Sequence, residues 1–581
     1  MSKKGLINIT GAAESRVAPL MGRILQQEAK GQCLVVASSY VRARRLATDL
    51  SFFVDKTIYV LPPEEEIFIR YEAKARDSML ERLKILKALR TGEDCLVVAP
   101  VSGAIRKLPP HEDFEEKVLR LAGGEEIELN QVKEKLAAMG YERVSLVDAR
   151  GQFSIRGSII DVFTADGEAP CRIELFDTEI DSIRSFDPDT QRSIENLSCI
   201  DIYPAEPIVR DKEILEKAAG KIRRAYGAQI RKFSGEDLTS EEQERGEILK
   251  KRRDQLVEFA ENGVNLQQME NYLHYFYETT EYIWDYMKDP VVMIDDPSRV
   301  MENLEARERE LAEDFKTLLE RGQTVPSELK DFSGKQDYLK LYQMDRAYLF
   351  TPIQKTIKGA DSFAEIRNVV SRPTMVFNGR MDLLETELRT YLKNGYKVTI
   401  VCANEERAAN MEEFLSRVDL LSRVWVKMGN LTGGIDFPQE KFCYIWDGDI
   451  FGTPKKKKRK KKTSHDFSQP IRSFADVQTG DYVVHENHGI GKFVGIEQLT
   501  VQNVKKDYLK IKYSGQDVLY VPVEQMDLVQ KYIGSDTASP RLNKLSGSEW
   551  KTTKAKAKAA IANMAKELLE VSAARQMEKG Y

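Results

Sequence analysis

The residues with the clearest bearing on chemistry are the glycines and lysines that could hold a triphosphate. A phosphate-binding loop needs small residues for close approach of backbone N–H groups, a lysine for charge, and a following Ser or Thr for magnesium. Gly-Lys occurs three times in this chain, and the next residues are Ile222, Gln336 and Phe493. The sequence therefore contains no Walker A motif, and we expect no ATP hydrolysis from it.

One loop nevertheless falls where a nucleotide binds in an α/β fold. It follows the apolar run LINIT and reads Thr10-Gly11-Ala12-Ala13-Glu14-Ser15-Arg16. Gly11 and Ser15 are residue types of a phosphate loop, but a second glycine and a lysine are missing, and Glu14 would repel phosphate. The segment is either an ordinary α/β loop or the remnant of a former site. We interpret Gly11, Glu14 and Ser15 as a degenerate, non-binding nucleotide loop.

Metal and redox chemistry find little support in the sequence. The six cysteines are scattered without a CxxC pair, which indicates neither a disulfide framework nor a zinc site, and we interpret them as buried small apolar residues. His485 and His488 lack cysteine or acidic partners, so ordinary turn residues are the favoured interpretation over metal ligands. We expect no metal and no other cofactor.

Length and charge set the class of protein. A chain of 581 residues is too long for one hydrophobic core, which predicts several domains. A net charge of -4 argues against a chain that coats nucleic acid through a general positive field, so any such contact must be local. No apolar run approaches the roughly 20 residues that span a bilayer, and the start lacks a signal-peptide pattern. We expect no membrane contact and a cytoplasmic location.

The secondary-structure pattern changes along the chain. Near the start, apolar runs such as CLVVA and TIYVL separated by amphipathic helices predict a parallel sheet covered on both faces. A strand-rich stretch follows, then a helix-rich one whose aromatic segment 271–284 we interpret as core packing, base stacking being the alternative. Alternation then returns in PTMVFNG, KVTIVCAN and KFCYIWD. Eight consecutive cations at 455–462 predict a solvated linker, with a phosphate contact as the alternative.

The strand-rich stretch resembles domain 2 of UvrB, the damage-verifying helicase of nucleotide excision repair. The signature is carried by Arg150, Gly151, Phe153, Arg156, Gly157, Ile160, Asp161 and Phe163. The resemblance implies UvrA binding through Arg156, Arg172 and Phe176, the arginines offering planar donors and Phe176 an apolar anchor. Pairing within the domain is the alternative role. The Asp-Glu pair of a UvrB-type motor is replaced by Asp295-Asp296, which together with the missing Walker A motif indicates a disabled motor.

A second resemblance lies beyond the basic run. The series GDYVVH, HGIGKF, DYLKIKY and LYVPV is similar to the CarD-like RNA-polymerase-interacting domain of transcription-repair coupling factors. Such domains pair with an edge of the polymerase β subunit, so main-chain hydrogen bonds and exposed apolar side chains would carry the contact. We predict Leu499 first and Ile496 second as polymerase contacts. The alternative is that both are core residues of the small β domain.

The fold class predicted is multidomain α/β: a degenerate UvrB-like, helicase-type parallel-sheet domain with an inserted α+β domain 2, a small α/β domain, a small CarD/Tudor-like β-barrel and a C-terminal helix. The predicted boundaries are 1–118 for domain 1a, 119–205 for the UvrA-binding domain 2, 206–365 for the helix-rich domain 1b, 366–452 for the small α/β domain 3, 453–473 for the basic linker, 474–540 for the polymerase-interacting domain, and 541–581 for the start of a relay helix.

Together the resemblances identify the chain as a member of the transcription-repair coupling factors. They imply a monomeric, non-catalytic adaptor that binds the β subunit of stalled RNA polymerase and recruits UvrA. In that family a two-lobed translocase, which uses ATP and magnesium and makes most of the DNA contacts, would follow, but the sequence ends at Tyr581 before any such motor. The alternatives are a UvrB-type ATP-dependent repair enzyme and a CarD-type transcription regulator.

Overall fold

A computed structural model describes most of the chain. The described residues are 5–27, 31–62, 76–188, 190–208, 210–233, 238–264, 266–451, 479–485, 488–501, 504–515, 517–522, 529–532, 540–544 and 550. They form two compact units, one holding the described residues up to 451 except Arg76, and the other holding Arg76 and those from 479 onward. The basic run at 455–462 and residues 551–581 of the predicted relay helix lie outside the described residues.

The first segment alternates strands and helices. Its strands are β1 (Gly5–Thr10), β2 (Cys33–Ala37), β3 (Thr57–Val60) and β4 (Cys95–Pro100), and its helices are α1 (Val17–Gln27), α2 (Tyr40–Phe53), α3 (Arg76–Arg90), α4 (Val101–Ala104) and α5 (His111–Glu116). Both faces of β2 and β4 are buried, as expected for a parallel sheet covered by helices. Ser39 caps α2 by accepting a hydrogen bond from the backbone N–H of Arg42.

The next segment is dominated by an antiparallel sheet. Its elements are β5 (Leu119–Ala122), α6 (Leu129–Ala138), β6 (Glu142–Arg143), β7 (Gln152–Arg156), β8 (Ile159–Phe163), β9 (Cys171–Phe176), β10 (Glu179–Phe186), β11 (Ser193–Leu197) and β12 (Cys199–Ile202). Six strands lie in the order β11-β10-β9-β8-β7-β6, and β12 pairs separately with β5. Only the short β6–β7 pair of this sheet is parallel.

The helix-rich segment completes the parallel sheet. Its elements are α7 (Lys212–Ile230), α8 (Ser240–Asn262), α9 (Leu273–Phe276), β13 (Val291–Asp295), α10 (Pro297–Glu320), α11 (Lys335–Leu339), β14 (Arg346–Thr351) and β15 (Glu365–Asn368). The seven strands run in the order β15-β1-β14-β13-β2-β4-β3, and all pairs are parallel. Tyr275, Phe276 and Trp284 are buried, which confirms packing as the role of the aromatic segment.

The small α/β domain has its own four-stranded sheet. Its elements are α12 (Met381–Lys393), β16 (Lys397–Cys402), α13 (Glu405–Arg417), β17 (Val424–Met428), β18 (Ile435–Phe437), β19 (Phe442–Trp446) and α14 (Asp447–Phe451). The strand order is β17-β16-β19-β18. The apolar run at 373–379, interpreted above as part of the alternation, forms no strand, because the N–H groups of Phe377 and Gly379 bond to the carbonyls of Asp449 and Ile450.

The second compact unit is a five-stranded antiparallel sheet. Its strands are β20 (Tyr482–His485), β21 (Gly489–Val501), β22 (Val504–Lys512), β23 (Val518–Pro522) and β24 (Val529–Lys531), in the order β23-β22-β21-β20-β24. The mixed α/β class, with a parallel sheet and a small antiparallel sheet, is therefore confirmed. Among the described helices, none combines the length and apolar character that crossing a bilayer requires.

Candidate partner-binding surfaces and a closed nucleotide loop

The three residues predicted to bind UvrA lie on one face of the six-stranded sheet. Side chains alternate along β9, so Ile173 enters the core while Arg172 and Phe176 lie on the opposite face. The strand register places Asp161 of β8 directly opposite Arg172. Arg156, at the end of β7, reaches the same carboxylate. The structure thus brings the predicted residues onto a single surface.

A buried carboxylate joins the two arginines. Asp161 has only 1% of its side chain exposed, and it accepts hydrogen bonds from Nε of Arg172 at 2.7 Å and from Nη2 of Arg156 at 2.6 Å. Arg172 also donates to Gln191 and lies over the ring of Phe186 at 4.5 Å. The hydrogen bond to Asp161 raises the pKa of Arg172 above its ordinary value. Arg172 is therefore held within the domain, whereas Arg156 remains half exposed.

Phe176 is the most exposed large apolar residue of this surface. It ends β9 with 79% of its area exposed, and Asp177, with a positive φ of 58°, opens the turn into β10. On the same face Glu174 pairs with Arg184, so charged groups border the ring. An exposed aromatic anchor, with a half-exposed guanidinium on the same face and charged groups around it, has the composition typical of a binding hot spot.

The loop after β1 is occupied by the protein's own backbone. Gly11 has a φ of 91°, and a Cβ there would lie 1.8 Å from the carbonyl oxygen of Val369, so only glycine fits. The carbonyl of Gly11 accepts a hydrogen bond of 2.6 Å from the hydroxyl of Ser371. Glu14 has a positive φ of 55°, and Ser15 is buried. Segment 369–371 therefore packs directly on the predicted degenerate loop.

An ion pair fills the neighbouring part of the sheet edge. Asp295 ends β13, and Arg42 begins the helix that follows the adjacent strand β2. The guanidinium binds both carboxylate oxygens, with Nε to Oδ2 at 2.6 Å and Nη2 to Oδ1 at 3.0 Å. Nη2 also donates to the carbonyl of Glu14 at 3.0 Å. The carboxylate that would serve a metal or a water in a motor is thus neutralised by the protein itself.

A loop of the small α/β domain is anchored close by. Asp49 of α2 is fully buried and accepts hydrogen bonds from the backbone N–H of Thr432 at 2.6 Å and from its hydroxyl at 2.8 Å. A Cβ on Gly433 would lie 3.3 Å from the hydroxyl of Ser15. The loop at 432–433 and segment 369–371 therefore both contact the region around the degenerate loop.

The Asp49 contact predicts a pH dependence. Burial raises the pKa of Asp49 from 3.8 to about 6, and the hydrogen bonds from Thr432 and the charge of Arg42 offset this only in part. A carboxyl with a raised pKa in the folded state contributes stability that is complete below pH 3.8 and is lost as the pH rises through 6. We expect the thermal midpoint of the native chain to fall, relative to that of Asp49→Asn, between about pH 4 and pH 6. Parallel midpoint profiles would show that this carboxyl does not titrate in the folded state.

The antiparallel unit has a strand with an open side. β21 pairs with β22 from Lys492 to Val501, but with β20 only from Gly489 to Lys492. On the side away from β22, the backbone of Phe493 still bonds to Gly480 and Asp481, whereas residues 494–501 pair with no described strand. A free strand edge of this length offers main-chain donors and acceptors to a partner strand.

The two predicted polymerase contacts lie on that open stretch. Ile496 has 45% of its area exposed, which excludes the alternative that it is a core residue. Leu499 lies in β21 opposite Lys506, and its side chain is outside the described residues. The neighbouring Glu497 accepts hydrogen bonds from Lys510 and Tyr520 on the opposite face of the strand.

The two histidines of this unit are not arranged as a metal site. His488 lies in a turn, as interpreted, but His485 lies in β20 and is buried, and burial lowers its pKa to about 4. Within the described residues no group of His, Cys, Asp or Glu side chains is placed to hold a metal. Five of the six cysteines are buried and Cys199 is half-buried, so a packing role is confirmed for the five.

Sequence reasoning missed the Arg42–Asp295 and Asp49–Thr432 contacts. The available signal was the position of Arg42 and Asp295 just after apolar strand runs, since carboxyl ends of neighbouring parallel strands meet at one edge. That β2 and β13 are neighbours is a property of the strand order, which the sequence pattern alone does not reveal.

Comparison with known proteins finds two matching domain families. A family described as "UvrB interaction domain" matches residues 119–207, and one described as "CarD-like/TRCF RID domain" matches residues 477–533. The chain is also 35% identical to the transcription-repair-coupling factor of Bacillus subtilis (strain 168), and 31% identical to those of Staphylococcus haemolyticus (strain JCSC1435) and Staphylococcus aureus (strain MRSA252). Each alignment covers 99% of this chain and 49% of the relative. The chain thus spans about half the length of these relatives.

Proposed function

We propose that this chain, a homologue of the transcription-repair-coupling factors along nearly its whole length, is a non-catalytic adaptor that joins two partners. One partner is UvrA, bound on the six-stranded sheet, and the other is the β subunit of a stalled RNA polymerase, bound at β21. In this role the chain recruits excision repair to the site where transcription has stopped.

The observation that carries the proposal is that each matched domain exposes an apolar side chain on a surface suited to protein contact. Phe176 and Arg156 lie on one face of the sheet in the segment matching the UvrB interaction domain. Ile496 lies on an open strand edge in the segment matching the CarD-like domain. The two surfaces belong to different compact units, so one chain has separate positions for two partners.

The closed loop after β1 supports the non-catalytic part of the proposal. Gly11 has no space above its backbone, and Asp295 is already bound by Arg42. A nucleotide would have to displace segment 369–371 and break a bidentate ion pair. We therefore propose that these residues bind neither ATP nor magnesium, that the chain acts in the cytoplasm as a monomer, and that most DNA contacts of the full-length family belong to its translocase.

The polymerase contact is tested by changing Ile496 to arginine. A charge on the open edge would be desolvated against the partner strand, and we expect at least about a tenfold loss of affinity for a polymerase β fragment. Leu499→Arg is expected to have the same effect. The control is Leu421→Arg, because Leu421 is equally exposed in the other compact unit and should tolerate the change. Unchanged β binding by both β21 variants, or DNA-stimulated ATP turnover by the native chain, would contradict the proposal.

A further inference from the structure

A cleft opens where the small α/β domain meets the first parallel-sheet domain. One face of the four-stranded sheet packs against α12 and α13 through Val398 and Ile400. The other face is covered only in part, by Phe52 and Phe53 at the end of α2, which contact Tyr444. The uncovered part forms a cleft of about 440 Å³, within the range of ligand-binding sites.

Aromatic rings from strands β17 and β19 line this cleft. In the strand register Thr399 of β16 lies between Trp425 of β17 and Tyr444 of β19, so the two rings flank a small residue. Tyr444 and Phe442 contact each other with ring centroids 5.8 Å apart. Trp425, on the outermost strand, has 52% of its area exposed. The sheet thus offers one free aromatic face beside two rings held in place by packing.

The charge of the cleft is positive. Its lining includes Lys397, Lys427 and Arg23, and no acidic residue. Arg23 lies over the ring of Phe442 at 5.6 Å and pairs with Glu440 at 2.6 Å. Neither lysine ammonium forms an ion pair with a described residue. Two cations thus remain available for an anionic ligand.

We propose that this cleft binds a single-stranded segment of nucleic acid. Stacking of bases on exposed aromatic rings, with cations along the phosphate backbone, is the common chemistry of single-strand binding. A sheet face serves well because its side chains lie in rows, with neighbouring strands about 4.8 Å apart. The proposal gives the small α/β domain a role that does not depend on UvrA or polymerase binding.

The geometry favours a single strand over a duplex. Paired bases stack on each other and turn their edges outward, so a duplex offers no base face to Trp425. The acidic balance of the whole chain also confines nucleic-acid affinity to local patches such as this one. The exposed ring of Trp425 therefore selects single-stranded over duplex nucleic acid, and the two lysines strengthen the binding.

The test measures binding of the full chain to a labelled oligothymidylate of about a dozen nucleotides, and to a duplex of the same length, at about 0.15 M salt. We expect Trp425→Ala to weaken single-strand binding about tenfold through loss of stacking, and to leave duplex binding unchanged. Lys427→Glu should weaken single-strand binding at least as much and make it less sensitive to salt. This second variant keeps the test decisive if the tryptophan variant folds poorly.

Two matched controls lie on the other side of the same domain. Met428 is exposed on β17 next to Lys427 but on the opposite face of the strand, and Lys393 ends α12. Met428→Ala and Lys393→Glu should bind the oligothymidylate like the native chain. The proposal is overturned if Trp425→Ala and Lys427→Glu also bind it normally, or if they lose single-strand and duplex binding equally. Loss of UvrA or polymerase binding with normal oligothymidylate binding would instead assign the cleft to a protein partner.

Discussion

Replacing Phe176 with alanine is expected to weaken UvrA binding about 30-fold, equivalent to about 2 kcal/mol. The ring is 79% exposed at the end of β9 and supports no core contact, so its removal should leave the fold intact. An aromatic anchor that becomes buried on binding contributes through apolar area and through close packing in the partner's pocket. Titration of UvrA into the full chain measures the change.

A second variant, at Arg156, and a control variant, at a distant apolar residue, complete this test. Arg156→Ala removes a half-exposed guanidinium, and we expect it to add a smaller loss to that of Phe176→Ala. Val41, exposed on α2 in the first domain, is the matched control, and Val41→Ala should bind UvrA normally. If the double variant Arg156→Ala, Phe176→Ala binds UvrA as tightly as the native chain, UvrA is not bound on this face.

Replacing Asp161 with alanine is expected to destabilise the six-stranded sheet by about 4 kcal/mol. Asp161 is buried and accepts hydrogen bonds from both Arg156 and Arg172, so its loss leaves the less exposed guanidinium of Arg172 without its charged partner. Hydrogen exchange of the β7 to β9 amides in the full chain measures the local effect. We expect their protection to fall while that of β16 is unchanged.

Two further substitutions are expected to have smaller effects than Asp161→Ala. Asp161→Asn keeps an acceptor oxygen near Arg172 and should cost less than the alanine change. Arg156→Ala leaves the bidentate contact of Arg172 in place, so its effect on exchange should be small. Equal protection in Asp161→Ala and the native chain would mean that the buried ion pair does not hold the sheet together.

The strands of the first domain could be predicted because burial on both faces produces short apolar runs. CLVVA became β2, TIYVL contains β3, and the run LVVAP forms β4 together with Cys95. The strand order could not be predicted, since β13 and β14 come more than 250 residues after β2 along the chain and yet lie between it and β1. The predicted break at 365–366 falls inside β15, whose parallel pairing with β1 depends on this order.

The candidate site, like the fold, could be predicted from the sequence only in part. Alternation along β9 is enough to place Arg172 and Phe176 on one face. The different roles of Arg156 and Arg172 were not predictable, because they follow from the burial of Asp161 and from the register between β8 and β9. The cleft beside Trp425 was also missed, since it depends on how far Phe52 and Phe53 cover a sheet about 370 residues further along the chain.

We propose that one chain holds both partners at once through separate surfaces. The most direct measurement mixes the purified chain with UvrA and a polymerase β fragment and determines the mass of the species formed by light scattering. We expect a single complex that contains all three proteins. Two separate binary complexes, in which either partner displaces the other, would contradict it.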